Sequence, residues 1–95
     1  MRLIEKQMNQ AILNKTDWHK DNTEVIYDRS VDQSYVYLHG HNIATYDHFY
    51  PKVETNLKTL RNWPTRTTKS RLRALDVDVY TRKGITYVNG KEVTK

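Results

Sequence analysis

Apolar residues recur along this chain with two different periods, and the change from one to the other divides it into elements. Ile4, Met8, Ala11 and Ile12 fall at i, i+4, i+7 and i+8, one stripe of a helical period. The spacing predicts an amphipathic helix from Leu3 to Asn14, with Glu5, Lys6, Gln7, Asn9 and Gln10 as its polar, helix-tolerant positions. Lys15 to Asn22 gathers turn formers around Trp18 and reads as a loop whose tryptophan closes the edge of the core. The period then falls to two. Thr23 to Asp28 is a short strand, Arg29 to Gln33 a turn, and Ser34 to His39 alternates Tyr35 and Tyr37 against Val36 and Leu38. Gly40 breaks the run and Asn42 to Asp47 resumes it, a spacing that predicts an antiparallel meander.

Lys52 to Leu60 alternates again, with Val53, Thr55, Leu57 and Thr59 on one side, and is expected to be a strand with a wet, partly basic face. Arg61 to Thr67 is a connector, because Pro64 disfavours helical geometry at Trp63. A second helix is expected from about Thr68 to Leu75, capped by the hydroxyl of Thr67 or Thr68. Asp76 to Thr81 and Ile85 to Val88 read as strands joined by the Arg82-Lys83-Gly84 turn. Asn89-Gly90 is a strong hairpin signal, since both central residues of a two-residue turn need positive φ, and it leads into a last strand from Lys91 to Thr94. The expected class is α+β, one domain over residues 1–95. It would hold a small antiparallel sheet of about five to six strands, an N-terminal helix, and a second short helix before a C-terminal hairpin.

Composition sets the scale of this domain. Only 37% of the 95 residues are hydrophobic, so the core is modest; seven tyrosines extend it while keeping a polar end at the surface. The chain has no cysteine, which removes disulfide and thiolate chemistry and favours a reducing compartment. The first residues lack the continuous apolar stretch of a signal peptide, and no apolar run approaches the roughly 20 residues of a membrane span. A soluble intracellular protein is expected.

The net charge of +5 becomes informative once it is located. Between Thr55 and Leu75 stand Lys58, Arg61, Arg66, Lys69, Arg71 and Arg73 with no carboxylate, whereas the rest of the chain carries ten basic and eleven acidic groups. On a helical wheel Thr68, Leu72 and Leu75 cluster on one side. Lys69, Ser70 and Arg73 cluster on the other, joined by Arg66 if the helix reaches it, with Arg71 at the edge. The hairpin that follows is tipped by Arg82 and Lys83. A helix followed by a basic-tipped hairpin is the arrangement of winged-helix proteins, although strands here replace the usual preceding helix. Trp63 beside Arg61 interleaves an aromatic ring with cations, as single-strand binding surfaces do. The candidate surface for nucleic acid or an anionic partner is therefore Lys58, Arg61, Trp63, Arg66, Lys69, Arg71, Arg73, Arg82 and Lys83. The plainer alternative is a solvated face that keeps a small domain in solution.

Chemistry finds little footing elsewhere. His39-Gly40-His41 and Asp47-His48 hold ligand-type residues, but a dedicated zinc site draws at least three ligands from the protein and the glycine here reads as a turn. There is no glycine-rich phosphate loop and no nucleophile signature, so neither an enzyme nor a cofactor is expected.

One resemblance spans most of the chain. The segments Asp21-Asn22-Thr23-Glu24-Val25, Tyr35-Val36-Tyr37-Leu38-His39-Gly40 and Ile43-Ala44 carry its first half. Arg66-Thr67-Thr68-Lys69-Ser70-Arg71-Leu72 with Ala74-Leu75 carries its second. Together they resemble a group of short uncharacterised proteins of tailed bacteriophages. The resemblance implies a phage protein acting in a bacterial host cytoplasm, where such proteins commonly bind DNA or seize a host protein. Two functions follow as expectations. One is a nucleic-acid-binding accessory protein. The other is a host-takeover or anti-defence protein that inhibits an acidic bacterial partner through the same basic face. Unpaired edges in so small a sheet would also permit a homodimer.

Overall fold

The computed structural model describes residues Met1–Val93 and bears out the α+β class, with the strands divided between two antiparallel sheets. The first helix, α1 (Leu3–Leu13), forms as its period predicts, but its buried stripe is Glu5, Met8, Ala11 and Ile12. Ile4 is only half-buried; a carboxylate takes the inner position. The helix stops without a glycine. Lys15 adopts φ 54°, and the N–H groups of Thr16 and Lys15 bond back to Ala11 and Ile12 carbonyls, a Schellman closure built on a lysine.

Five strands follow in meander order: β1 (Trp18–Lys20), β2 (Thr23–Asp28), β3 (Gln33–Leu38), β4 (His41–Asp47) and β5 (Lys52–Thr55). β1 corrects the loop expected around Trp18: it adds an edge by pairing Trp18 with Val25. β3 and β4 join through His39-Gly40, both at positive φ (52° and 79°), the geometry of a two-residue hairpin turn with the right strand twist. A bulge between Val36 and Tyr37 lets Ile43 and Ala44 both turn inward, and the Asn42 side chain fills it by donating to the Val36 and Ala44 carbonyls.

The expected strand from Lys52 to Leu60 is corrected at Asn56. Its side chain accepts a hydrogen bond from the Thr59 N–H at 3.1 Å, capping a short helix, α2 (Leu57–Asn62). Capping outweighs the apparent alternation, and only Leu60 is driven into the core. The next helix, α3 (Arg66–Ala74), starts earlier than expected because the cap is Thr65, whose hydroxyl accepts from the Thr68 N–H. It too closes without glycine: Asp76 at φ 66° lets the Val77 N–H reach the Leu72 carbonyl. That closure consumes Asp76 to Asp78, so β6 (Val79–Arg82) begins later than the alternation suggested. β7 (Ile85–Val88) and β8 (Lys91–Glu92) complete the second sheet, with Asn89-Gly90 in the expected turn. The expected end of the last strand, Thr94, lies outside the described residues.

One hydrophobic cluster joins the helices and every strand but β8. Met8 and Ile12 meet Val25, Val36, Leu38, Ile43 and Ala44 of the larger sheet, Leu60 and Leu72 of the later helices, and Val79 and Val88 of the smaller sheet. Inside it lies a polar link. Arg71 is 3% exposed and donates Nη1 to Glu5 Oε2 at 2.8 Å and Nε to Thr23 Oγ1 at 3.1 Å. The Ser70 hydroxyl donates to the same carboxylate oxygen at 2.6 Å. Burial pushes the Glu5 carboxyl up, but the hydrogen bonds from Ser70 and Arg71 and the Arg71 charge outweigh it and hold the pKa below 4.5.

Removing one partner of such a pair strands the other charge. Arg71→Met should therefore cost about 3–5 kcal/mol in a urea titration, while a Glu5→Leu/Arg71→Met double variant recovers most of that loss. The acid response has a defined sign. Because the folded-state pKa of Glu5 is depressed, its stabilisation is complete above the unfolded value and is lost as pH falls through the folded one. The stability advantage of the native protein over Glu5→Gln should thus shrink as pH is lowered from about 6 to about 3, followed by thermal melts.

Candidate nucleic-acid interface

The buried link fixes how α3 presents its charges. Each residue turns a helix by about 100°, so with Arg71 directed inward, Lys69, Arg73 and Arg66 fall about 160°, 200° and 220° round the axis. Three cations therefore share one narrow sector opposite the anchor, while Thr68 and Leu72 flank Arg71 on the buried side. Arg71 itself leaves the candidate surface: its guanidinium is spent on Glu5 and Thr23.

β6 lies beside that sector. Arg73 Nε donates to the Val79 carbonyl at 3.0 Å, and Lys69 Nζ donates to Thr81 Oγ1. Four helix residues rise about 6 Å and two strand residues about 6.7 Å, so the two contacts hold helix and strand antiparallel in matched register. Continued one turn further, the same register carries Arg82 and Lys83 towards the Arg66 end. By that register Arg73, Lys69, Arg66 and the β6–β7 tip residues Arg82 and Lys83 follow one seam, a stripe in which Arg82 leaves the sheet on the face opposite Thr81, and none of them is in an ion pair among the described residues. The contacts also satisfy an edge carbonyl that would otherwise invite another strand.

The remaining candidates lie apart from it. Lys58 is exposed on α2. Arg61 is half-buried in the cleft that Pro64, Ile85, Thr86 and Glu92 help line, with its Nε unpartnered. Trp63 is 46% exposed and stacks on the His41 ring at 4.2 Å, clamping the connector onto the β3–β4 turn. His39 turns instead to Asn22, with Nε2 3.4 Å from its Nδ2. Among the described residues no group of three or more His, Cys, Asp or Glu could hold a metal ion, and no helix is long and apolar enough to cross a membrane.

Charge separates the two sheets. Pairing places Glu24, Asp28, Asp47 and Glu54 on the open face of the larger sheet, with Lys52 and His19. Tyr35 and Tyr37 stand among these carboxylates, so that face repels a phosphate backbone despite its aromatic rings. The open face of the smaller sheet is not acidic in this way, carrying one arginine, Arg82, and one carboxylate, Glu92. Tyr80 and Tyr87 stack across β6 and β7 at 5.1 Å with an interplanar angle of 12°, and Arg82 shares their face. Strand alternation puts these residues on one face; it gives no hint that the rings would stack beside a cation.

A second aromatic pair stands away from the stripe. Phe49 and Tyr50 are each 69% exposed at the β4–β5 turn, where Asp47 Oδ1 accepts from both of their backbone N–H groups. His48 points inward at that turn, 2.8 Å from the Ser34 hydroxyl and edge-on to Tyr27 and Tyr46.

The model of the family described as Kyanoviridae Gp96 protein matches residues 1–95. No curated protein and no solved structure matches the chain.

If the stripe's exposed cations are surface groups and not parts of the scaffold, Arg66→Gln and Arg82→Gln should each leave the folding free energy within about 0.5 kcal/mol. Chemical denaturation measures this directly. A loss approaching that of Arg71→Met would assign them to the fold.

Proposed function

The chain belongs to the Kyanoviridae Gp96 protein family, a family of short phage proteins, and from that premise we propose that it binds nucleic acid through the stripe formed by α3 and the β6–β7 tip. The observation that carries this reading is the register of α3 against β6, along which five cations from two elements separate in sequence fall, none of them in an ion pair among the described residues. A face that merely solubilises has no need of such alignment, whereas a polyanion does. Arg66, Lys69, Arg73, Arg82 and Lys83 contact phosphates, and the acidic face of the larger sheet turns away from them. The setting is the cytoplasm of the bacterial host.

A second reading is a protein that binds and inhibits a host bacterial protein. It draws support from Phe49 and Tyr50, exposed aromatic side chains held on a fixed turn, the residue type that anchors protein interfaces. That reading replaces the phosphate backbone with an acidic patch as the stripe's counterpart.

The experiment that separates them is a salt titration of nucleic-acid affinity. With five phosphates neutralised, affinity falls by roughly two to three orders of magnitude between about 50 and about 200 mM salt. Lys69→Gln/Arg73→Gln should weaken binding to all sequences alike and flatten the slope by about two contacts. A flat response, together with a stoichiometric host-protein complex that survives nuclease treatment, would overturn the first reading in favour of the second.

A further inference from the structure

Resting on the nucleic-acid reading, we propose that the outer face of the C-terminal sheet is a stacking platform for an unpaired base, so that the ligand of the stripe is single-stranded. Two observations point the same way. The first concerns what α3 cannot do. Lys69 is bonded to Thr81 and Arg73 to Val79, so β6 runs along the side of the helix that bears the cations. A duplex major groove about 12 Å wide admits one helix of about 10–12 Å. A helix strapped to a strand on its contact side is too broad to enter, which removes the groove insertion used by winged-helix proteins.

The second is the platform itself. Alternation along β6 puts Val79, buried, and Thr81, exposed, on one face and Tyr80 and Arg82 on the other, outer one, and the pairing adds Tyr87 and Ile85 to that outer face. Tyr87 covers one ring face of Tyr80. β6 is an edge strand, so the other ring face has no neighbouring strand to cover it, and Tyr80 is 36% exposed. A base stacked there extends a stack that already exists. Arg82, two residues along the same face, lies about 6.7 Å further on, close to the spacing of successive phosphates in an extended strand. Glu92, paired across from Tyr87, bounds the platform on its far side. Bases offer this surface only when they are unpaired, and stacking on it tolerates any sequence.

The test measures fluorescence anisotropy of the full chain with labelled oligothymidine, oligouridine and a duplex, each of about 12 nucleotides per strand. Both single strands should bind more tightly than the duplex, and a preference between them reports sugar discrimination within the same proposal. Tyr80→Leu should weaken single-strand binding by about tenfold or more and leave duplex binding unchanged, while Tyr80→Phe keeps the native affinity. Crosslinking of iodouracil-substituted oligonucleotide to the unaltered protein gives a readout that no folding defect can mimic; the adduct is expected on Tyr80. Duplex binding equal to or tighter than single-strand binding, or an adduct confined to Trp63 or to Phe49 and Tyr50, would overturn the platform while leaving the stripe's function standing. Absence of binding to all three probes at about 50 mM salt would overturn both.

Discussion

The guanidinium of Arg71, held between Glu5 and Thr23, is the contact on which the arrangement of this small protein turns. It ties α3 to α1 and β2, elements that lie 66 and 48 residues away in sequence. Methyl groups could fill the same volume without the cost of burying two charges. What they would not supply is direction. An apolar face on a nine-residue helix tolerates rotation and sliding, whereas a forked donor meeting one carboxylate and one hydroxyl fixes both. In a domain with so modest a core, a polar link that specifies a single packing has a function that more apolar area would not replace.

That direction decides where the remaining charge goes. Anchoring Arg71 inward sets Arg66, Lys69 and Arg73 on the opposite side of α3, where Arg73 satisfies one carbonyl on the edge of β6 and Lys69 reaches the Thr81 hydroxyl. The larger sheet keeps its carboxylates on the face away from the helices, with Asp28 and Asp47 also bracing the adjoining turns. The molecule is thus polarised by its pairing register as well as by its composition. A net charge of +5 understates the field at the stripe, because the acidic groups are held elsewhere.

Much of this was legible in the sequence where a local rule had no competitor. The α1 period, the meander of β2 to β4 and the Asn89-Gly90 turn each follow from spacing or from the φ demanded of a turn residue. The basic segment was legible as well. Readings failed where a side chain made a backbone bond that periodicity does not register. Asn56 ended a strand by capping a helix, Thr65 took the cap assigned to Thr67 or Thr68, and Lys15 and Asp76 closed helices at a position where glycine is the usual signal. The role of Arg71 was hidden for a related reason: helical spacing put it at the margin of the wheel, and only the distant Glu5 decides which way it turns. The Tyr80–Tyr87 stack was equally invisible, since it depends on register between strands and not on either strand alone.

A consequence follows for how the protein tolerates change. Glu5, Thr23, Ser70 and Arg71 form one connected set of donors and acceptors, with Thr23 also donating to Asn22, so removing Glu5 or Arg71 strands the other inside the core, and their energies cannot be additive. The stripe is different. Arg66, Arg82 and Lys83 are exposed and make no ion pair within the described chain, so each can change alone without disturbing the packing beneath. Arg73 stands between the two groups: it presents charge outward and satisfies a β6 carbonyl at the same time. Its loss couples surface electrostatics to the integrity of a sheet edge. Fold and binding surface therefore meet at that residue, and Lys69 with its bond to Thr81 extends the same seam.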